Sequence, residues 1–320
     1  MYNISYKYKH FFFLLVKLAI VIAAGYLIYQ KLTNNQLLSF PQIQQQLSVL
    51  FSNSIWVFLL VLLFTDANWI LEIFKWKILT SVEKKITFFE AYEQCLASLT
   101  ASIITPNRIG EYGAKALFFE KNLRKKIVVL NFVGNLSQLS ITLAFGVFGL
   151  LFLIRNFTIK LPVLNPLKFV GLFVFFLVIY FFRKKLKVYF IVKIYLQKIK
   201  NYLKQIPKNI LLKTVGFSLL RYLIFTHQFY FLLLVFGSET NYFTTINLLF
   251  CVYFIASIIP SLSIFDWVIK GSVALFIFSF INLNELLVVT VTTFMWLLNF
   301  ALPALVGSIF VLKFKFISVK

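Results

Sequence analysis

Long apolar runs separated by short polar or basic segments make up most of this chain. A bilayer core about 30 Å thick needs roughly 20 apolar residues for one helical crossing. The pattern therefore predicts an all-α, polytopic transmembrane helix bundle that occupies residues 1–320 as a single integral membrane domain. The runs that predict about six full crossings are Phe11–Tyr29, Ile55–Phe74, Ile127–Ile154, Leu167–Phe182, Thr214–Phe236 and Glu285–Val311.

Two further apolar runs are interrupted at a proline. The first, Phe88–Glu120, is predicted to turn at Pro106–Gly110, and the second, Thr244–Asn282, at Pro260–Ser263. Proline removes a backbone donor and glycine permits a positive φ, so a helix break is expected at each turn. We predict that each run is a re-entrant helical hairpin. Its non-helical backbone must then be shielded from lipid by protein or water.

Basic residues gather in a few short loops. Such loops flank the first broken run on both sides, whereas no basic cluster flanks the second. An excess of Lys and Arg marks cytoplasmic loops, so the first hairpin is predicted to enter from the cytoplasm and the second from outside. The same bias predicts a multi-pass protein of the cell (inner) membrane with both termini cytoplasmic. The clusters are Lys75, Lys77, Lys84 and Lys85; Lys121, Arg124, Lys125 and Lys126; and Arg183, Lys184, Lys185 and Lys187.

The order of these elements predicts an inverted repeat. A crossing, a hairpin and a crossing at about 55–154 are followed by the same series at about 214–312, with the hairpin entering from the opposite side. Inverted repeats bring their broken helices together near the bilayer midplane. Residues 188–212 mix isoleucines with lysines, which predicts an amphipathic helix on the inner surface. The basic loops are expected to contact anionic inner-leaflet lipid.

Composition supports this class of protein and excludes others. The chain is 61% hydrophobic and 13% charged, and most of the bases behind its net charge of +22 gather in a few short segments between apolar runs, so a membrane protein is favoured over a nucleic-acid-binding one. No catalytic constellation, P-loop or dinucleotide fingerprint is present. We therefore expect no enzyme activity and no cofactor. Cys95 and Cys251 lie in different apolar runs without metal-type spacing, and we expect them to be reduced packing residues.

The broken runs carry the candidate binding residues. Ionisable side chains at membrane depth are costly and usually mark a site or a pathway. An acid and a base four residues apart lie on one helix face, so each pair either binds substrate or only neutralises itself. An arginine at the first break is suited to a phosphate. A further arginine, in the fifth predicted crossing, either lines the cavity or extends to the inner interface. The candidates are Arg108, Glu111, Lys115, Asp266, Lys270 and Arg221.

Other polar residues in the crossings have simpler explanations. Asp66, Asn68 and Glu72 share one crossing, and Asp66 is a candidate counter-ion for Arg108 or Arg221. We interpret His227 as a hydrogen-bonded core residue rather than a proton relay. A stripe of three amides on another crossing predicts interhelical hydrogen bonds. These amides are Asn131, Asn135 and Gln138.

The segment Thr105-Pro106-Asn107-Arg108-Ile109-Gly110-Glu111 resembles the TP-x-RIGE signature of the lysylphosphatidylglycerol synthase transmembrane (flippase-like) family. The segment from Pro260 through Asp266 and Lys270 is similar to that family's second motif, with lysine at 270 where arginine is expected. The resemblance implies movement of phospholipids or polyprenyl-linked lipids between leaflets, with Arg108, Glu111, Asp266 and Lys270 as site residues. No run here corresponds to the soluble aminoacyl-transferase domain of the full synthases, so synthase activity is not expected.

We therefore expect a flippase-like protein that translocates an anionic or zwitterionic lipid and binds the phosphate of its head group. Two alternatives remain at this stage. One is a transporter of small solutes or ions that uses the same cavity. The other is a non-transporting membrane scaffold for a lipid- or glycan-modifying enzyme. The sequence is also compatible with a homo-oligomer.

Overall fold

The computed structural model describes residues 55–103, 105, 108–157, 197–259 and 266–314, together with four helical positions between 15 and 26. Within these residues the regular structure is helical, without strands. The predicted crossings Phe11–Tyr29 (apart from those four positions) and Leu167–Phe182 lie outside the described residues. The helices are α1 (Ile55–Thr80), α2 (Phe88–Ala101), α3 (Ile109–Leu117), α4 (Arg124–Asn156), α5 (Lys208–Val235), α6 (Tyr242–Ile258), α7 (Asp266–Phe278), α8 (Glu285–Trp296) and α9 (Leu302–Lys313).

Four helical stretches are long and apolar enough to cross a membrane. They are α1, α4, α5 and the continuous stretch Glu285–Lys313 that contains α8 and α9. Each of these candidate spans coincides with one of the predicted crossings. The chain is thus a helical membrane protein in the part that the structure describes.

The last crossing contains an irregularity that the sequence analysis did not predict. Leu297–Ala301 forms a π-helical segment between α8 and α9. Pro303 follows it at the start of α9 and has no backbone N–H to donate to the preceding turn. The wide π turn is one way for a helix to accommodate this missing bond, and such turns often lie at functional sites.

The first broken run is divided as predicted. Helices α2 and α3 contain 14 and 9 residues, fewer than the roughly 20 that one crossing needs. Two details of the predicted turn were wrong. Ile109 and Gly110 are already helical, and the positive φ of 57° falls on Arg108 instead of the glycine. Gly110 serves close packing, because a Cβ there would lie 2.8 Å from Thr105 Cγ2.

The second broken run is divided in a similar way. Helices α6 and α7 contain 17 and 13 residues, and the predicted turn at Pro260–Ser263 lies outside the described residues. A short 3-10 helix, Ser279–Ile281, extends α7 to Asn282. Asn282 has a φ of 52°, which ends the helical run at the predicted residue.

The predicted boundary between the surface helix 188–212 and the next crossing was wrong. A helical stretch covers 197–205 and ends before Pro207, and α5 already begins at Lys208. A proline disfavours helical conformation in the residue before it and fits the first turn of a new helix. Ile206 is only 4% exposed and packs in the core formed by α1–α4. Residues 188–196 lie outside the described residues.

The helices of the two halves pack in a reciprocal arrangement. Helix α1 lies against α5, α2 against α9, and α6 against α4. Thus the first helix of each broken run packs on the last crossing of the other half. Within each half, the shorter helix of the broken run packs between its partner helix and the following crossing, α3 against α2 and α4, and α7 against α6 and α8.

Small residues allow the close contacts between halves, as is common between membrane helices. A Cβ at Gly307 of α9 would overlap the Leu96 carbonyl of α2. A Cβ at Gly149 of α4 would lie 2.6 Å from the Cys251 backbone nitrogen of α6. Thr100 Oγ1 also donates a 2.6 Å hydrogen bond to the Ala304 carbonyl. At these two contacts, which we call the α2–α9 seam and the α4–α6 seam, the helix backbones lie directly against each other.

Candidate functional site

A cavity of about 400 Å³ lies between the two halves of the protein. Its wall includes residues of α1, α4, α5, α6, α7 and α8, together with the π segment. Four of the six predicted binding residues line it: Arg108, Arg221, Asp266 and Lys270. Glu111 and Lys115 do not line the cavity. The rest of the wall mixes polar and aromatic side chains that include Asn68, Gln138, Asn299, Trp267, Trp296 and Phe300.

Arg108 is the residue immediately before α3 and has a left-handed backbone conformation. Its guanidinium carbon lies 5.3 Å from the centre of the Phe300 ring, a cation–π distance. Among the described residues, its guanidinium makes no hydrogen bond or ion pair. The carboxylates of Glu111 and Asp266 are near enough to interact electrostatically with this charge, but each forms its ion pair with a lysine. Glu111, the acid nearest in sequence, is paired with Lys115 instead.

Asp266 and Lys270 form the predicted pair on the first turns of α7. Lys270 Nζ lies 2.7 Å from Asp266 Oδ2, and the two side chains are 37% and 42% exposed. Lys270 Nζ also lies 5.8 Å from the centre of the Phe225 ring. This ion pair faces the cavity, where both partners remain accessible to a bound molecule.

Glu111 and Lys115 form the equivalent pair on α3, but in a closed environment. Lys115 Nζ lies 2.7 Å from Glu111 Oε1 and donates a 3.0 Å hydrogen bond to Asn131 Oδ1. The same ammonium lies 4.4 Å from the centre of the Trp76 ring. The Lys115 side chain is 2% exposed. The pair is thus enclosed by α1, α3 and α4.

Glu72 of α1 connects this buried pair to the cavity. Its carboxylate lies 2.6 Å from Lys75 Nζ, 3.9 Å from Lys115 Nζ and 2.5 Å from Arg221 Nη1. Arg221 therefore lines the cavity and does not extend to the interface. The prediction that Asp66 is a counter-ion was wrong: Asp66 is exposed and lies on a different face of α1 from Glu72, six residues away.

A neutral hydrogen-bond network continues along the same wall. Asn68 Oδ1 accepts from Arg221 Nε at 3.0 Å, and Asn68 Nδ2 donates to Asn299 Oδ1 at 2.9 Å. Asn299 Nδ2 donates to Gln228 Oε1 at 2.9 Å, and Gln228 Nε2 donates to Thr65 Oγ1 at 2.8 Å. The network joins α1 and α5 to the π segment. Asn68 and Gln228 are buried and Asn299 is half-buried, and their amides satisfy one another.

Sequence reasoning missed several members of these networks. The sequence pattern places Lys75 in a basic cytoplasmic loop. In the structure it is only 2% exposed and pairs with Glu72. Asn299 and Gln228 were not singled out. A polar amide two to four residues from a proline within an apolar crossing, as at Asn299 and Pro303, is the signal that marks this π segment.

The polar stripe of α4 makes the predicted interhelical bonds. Asn131 accepts from Lys115, Asn135 Nδ2 donates to Tyr112 Oη at 3.0 Å, and Gln138 Nε2 donates to the Ser218 carbonyl at 3.4 Å. His227 is hydrogen-bonded as expected. Its ring nitrogens lie 2.7 Å from the Leu223 carbonyl and 2.8 Å from Tyr242 Oη.

Comparison with known families identifies the family of this chain. The family model described as the lysylphosphatidylglycerol synthase TM region matches residues 14–307, which is most of the chain. The chain belongs to this family. The resemblance seen in the two motif segments is thereby confirmed, and the protein is an integral membrane protein of a lipid-related family. No curated protein and no solved structure matches the chain.

The charges that line the cavity determine what kind of group it can bind. In this member of the lysylphosphatidylglycerol synthase TM family, three cations and one carboxylate line a single cavity. The starts of α3 and α7 lie at the same wall, and the N-terminus of a helix carries partial positive charge. The cavity therefore favours an anionic group over a cationic one.

Proposed function

We propose that this protein translocates an anionic or zwitterionic lipid, either a phospholipid or a polyprenyl-linked lipid, between the leaflets of the cell (inner) membrane. The head-group phosphate binds in the cavity at Arg108, and the acyl or prenyl tails remain in the surrounding lipid. No covalent chemistry is involved, so the protein acts as a transporter and not as an enzyme.

The observation that carries this proposal is the Arg108 guanidinium, which faces the cavity and makes no direct ion pair with a described carboxylate. An unpaired charge at membrane depth is costly and is a functional-site hypothesis by default. A guanidinium forms two parallel hydrogen bonds with a phosphate. A cavity of about 400 Å³ accommodates a head group but is small for the two chains of a phospholipid. The phosphate of a lipid therefore fits both the charge and the size.

The reciprocal packing of the two halves supports a transport mechanism. It is the arrangement expected of an inverted repeat in which α2–α3 and α6–α7 are re-entrant hairpins from opposite sides. In such a protein the halves rock about a site at the midplane. We infer that the cavity alternates between the leaflets in this way, with both termini in the cytoplasm and the basic loops against anionic lipid.

The topology has a direct test. Single cysteines at Lys84 and Lys121 are expected to react with a membrane-impermeant thiol reagent from the cytoplasmic side. Cysteines at Thr240 and Asn284 are expected to react from the outside. If either pair is labelled from different sides, the corresponding broken run is an ordinary crossing and the alternating mechanism is lost.

The transport activity is tested by reconstitution. The full chain is placed in phosphatidylcholine vesicles that contain phosphatidylglycerol with a fluorescent acyl chain, and dithionite bleaching reports the outer-leaflet fraction. We expect rapid exchange with the unmodified chain and at least about a tenfold slower rate with Arg108→Ala, the loss of one charge-assisted contact. Arg155→Ala is the matched control, because Arg155 is exposed at the end of α4.

Two outcomes would favour a different function for the cavity. If soluble phosphate or other small anions move and the lipid does not, the same cavity serves a solute transporter. If neither moves and the protein co-purifies with a lipid- or glycan-modifying enzyme, the scaffold interpretation is favoured. An unchanged rate with Arg108→Ala removes that residue from the mechanism.

A further inference from the structure

Arg221 is the point at which a buried charge cluster reaches the cavity. The cluster consists of Glu72, Lys75, Glu111, Lys115 and Arg221, joined by the ion pairs described above. Among these five, Arg221 is the member that lines the cavity. Its side chain is 20% exposed, whereas those of the two lysines are each 2% exposed.

The cluster contains one more cation than carboxylate. Three bases share two acids, so in their ordinary ionisation states these residues carry one net positive charge inside the protein. A buried excess charge is unfavourable unless an opposite charge is near. A phosphate in the cavity supplies that charge, and Arg221 is where it can make contact.

The Glu72 carboxylate has three cationic neighbours, and they lie at unequal distances from it. Its Oε2 is shared by Lys75 Nζ and Arg221 Nη1, at 2.6 and 2.5 Å. If Arg221 turned to another anion, Glu72 would still have Lys75 and Lys115 within 4 Å. The carboxylate can therefore give up Arg221 without being left unpaired.

The arginine is also free to make such an exchange. Its Nε donates to Asn68 Oδ1 and its Nη1 binds Glu72, while Nη2 has no hydrogen-bond partner among the described residues. Asn68 holds the side chain in place from the neutral network. A rotation of Glu72 toward Lys75 would leave two guanidinium nitrogens available to one phosphate.

We propose that Glu72 is a built-in competitor for the lipid phosphate on Arg221. When a head group binds, its phosphate replaces Glu72 on Arg221, and Glu72 moves to Lys75 and Lys115. When Glu72 returns, it displaces the phosphate and promotes release. Glu72 is thus a positioning residue: its competition for Arg221 lowers the affinity for the phosphate and speeds its release. This inference rests on the proposed binding of a lipid phosphate in the cavity.

Binding and transfer are measured separately in the full chain. Binding of phosphatidylglycerol is read by native mass spectrometry from nanodiscs of phosphatidylcholine, and transfer by the dithionite assay. We expect Glu72→Gln to bind phosphatidylglycerol about tenfold more tightly and to transfer it about tenfold more slowly. The glutamine has similar shape but cannot compete as an anion, so the phosphate stays on Arg221. Asp66→Asn is the matched control on α1 and is expected to leave both quantities unchanged.

A double-mutant cycle separates this role from a structural one. In an Arg221→Gln background, adding Glu72→Gln is expected to change neither binding nor transfer by more than about twofold. If the Glu72 effect persists in that background, or if Glu72→Gln binds no more tightly than the unmodified chain, the proposal is wrong. Should Glu72→Gln fail to fold, Glu72→Asp retains the charge with a shorter reach and must show a smaller shift in the same direction. No gain in affinity with Glu72→Asp would then overturn the proposal.

The two proposals fail in different ways. If the unmodified chain binds phosphatidylglycerol but does not transfer it, translocation is wrong, and the binding measurements still decide the role of Glu72. If transfer is normal but Glu72→Gln leaves affinity unchanged, only the competitor role is wrong. If the unmodified chain does not bind phosphatidylglycerol, the competitor role fails as well.

Discussion

The two acid–base pairs of this protein have the same spacing and very different surroundings. Glu111–Lys115 and Asp266–Lys270 are each separated by four residues and each joined at 2.7 Å. The first is enclosed by three helices and further bound by Asn131, whereas the second is more than one-third exposed at the cavity. Spacing along a helix thus determines that a pair forms, and the neighbouring helices determine whether it can exchange partners.

This difference assigns distinct roles to the two pairs. The first pair is part of a closed cluster that connects α1, α3, α4 and α5. The second pair can open toward a ligand, because water or a head group can replace either partner at low cost. In the proposed cycle, the Glu111–Lys115 pair stays fixed, whereas the Glu72–Arg221 contact and the Asp266–Lys270 pair respond to the bound molecule.

The largest expected effect separates the two lysines. Lys115→Met removes a buried partner from two carboxylates, so we expect a loss of about 3–5 kcal/mol in the free energy of unfolding. Lys270→Met breaks a partly exposed pair and is expected to cost less than about 1 kcal/mol. Unfolding in mixed micelles with increasing sodium dodecyl sulfate measures both.

A double substitution in the Glu111–Lys115 pair tests whether the unpaired carboxylate causes this loss of stability. Replacing both partners, as in Glu111→Gln with Lys115→Met, removes one of the stranded carboxylates and is expected to be less destabilising than Lys115→Met alone. Equal losses for Lys115→Met and Lys270→Met would mean that burial does not distinguish the pairs.

Much of the fold and part of this contrast could be predicted from the sequence. Four of the predicted crossings, the division of the two broken runs and the two ion pairs follow from apolar run length, proline and four-residue spacing, all of which are local features. The partners of Arg221 could not be predicted in this way. Glu72 lies 149 residues away along the chain, and Asp66 was an equally plausible acid on the same helix. Only the rotation of α1 against α5 selects one of them.

The π segment was missed for a related reason. Pro303 signals a disturbed helix, but a kink, a break and a wide turn are all consistent with proline in a membrane helix. The choice depends on Asn299, whose amide bonds to Asn68 and Gln228 on other helices. Long-range contacts therefore determined the site geometry, whereas local patterns determined the elements that carry it.

The next prediction concerns the seam that holds the first broken run in place. We expect Gly307→Ala to lower the free energy of unfolding by about 1–3 kcal/mol, because the added methyl group would overlap the Leu96 carbonyl and push α2 from α9. Gly216→Ala is the control in α5. Nothing lies within 4 Å of a Cβ at that position, so the higher helix propensity of alanine is expected to make it neutral or slightly stabilising. The same micelle unfolding assay measures both variants. An unchanged free energy of unfolding with Gly307→Ala would show that α2 and α9 can move apart without cost.

The smallest expected effect distinguishes how the two broken runs begin. Helix α2 starts with a capping box, in which Thr87 Oγ1 accepts from the Glu90 backbone and Glu90 Oε2 accepts from the Thr87 N–H at 2.6 Å. Helix α6 starts with the uncharged Asn241, which accepts from the Thr244 N–H. The Thr87 backbone hydrogen bond, followed by that of its side chain, holds the pKa of Glu90 below its ordinary value of 4.5. The stability that Glu90 adds is therefore complete above its ordinary pKa and is lost as the pH falls through the folded-state value.

Thr87→Ala is expected to cost about 1 kcal/mol at neutral pH. Glu90→Gln is expected to cost only a few tenths of a kcal/mol there, since the side chain is exposed, and that difference from the unmodified chain should shrink as the pH is lowered below 4.5. Asn241→Ala is the control, because its cost should be the same at both pH values. A Glu90→Gln difference that does not change with pH would mean that the glutamate stabilises α2 through packing and not through its charge. The comparison between the two broken runs would then rest on their interior ion pairs alone, since their first turns would respond alike.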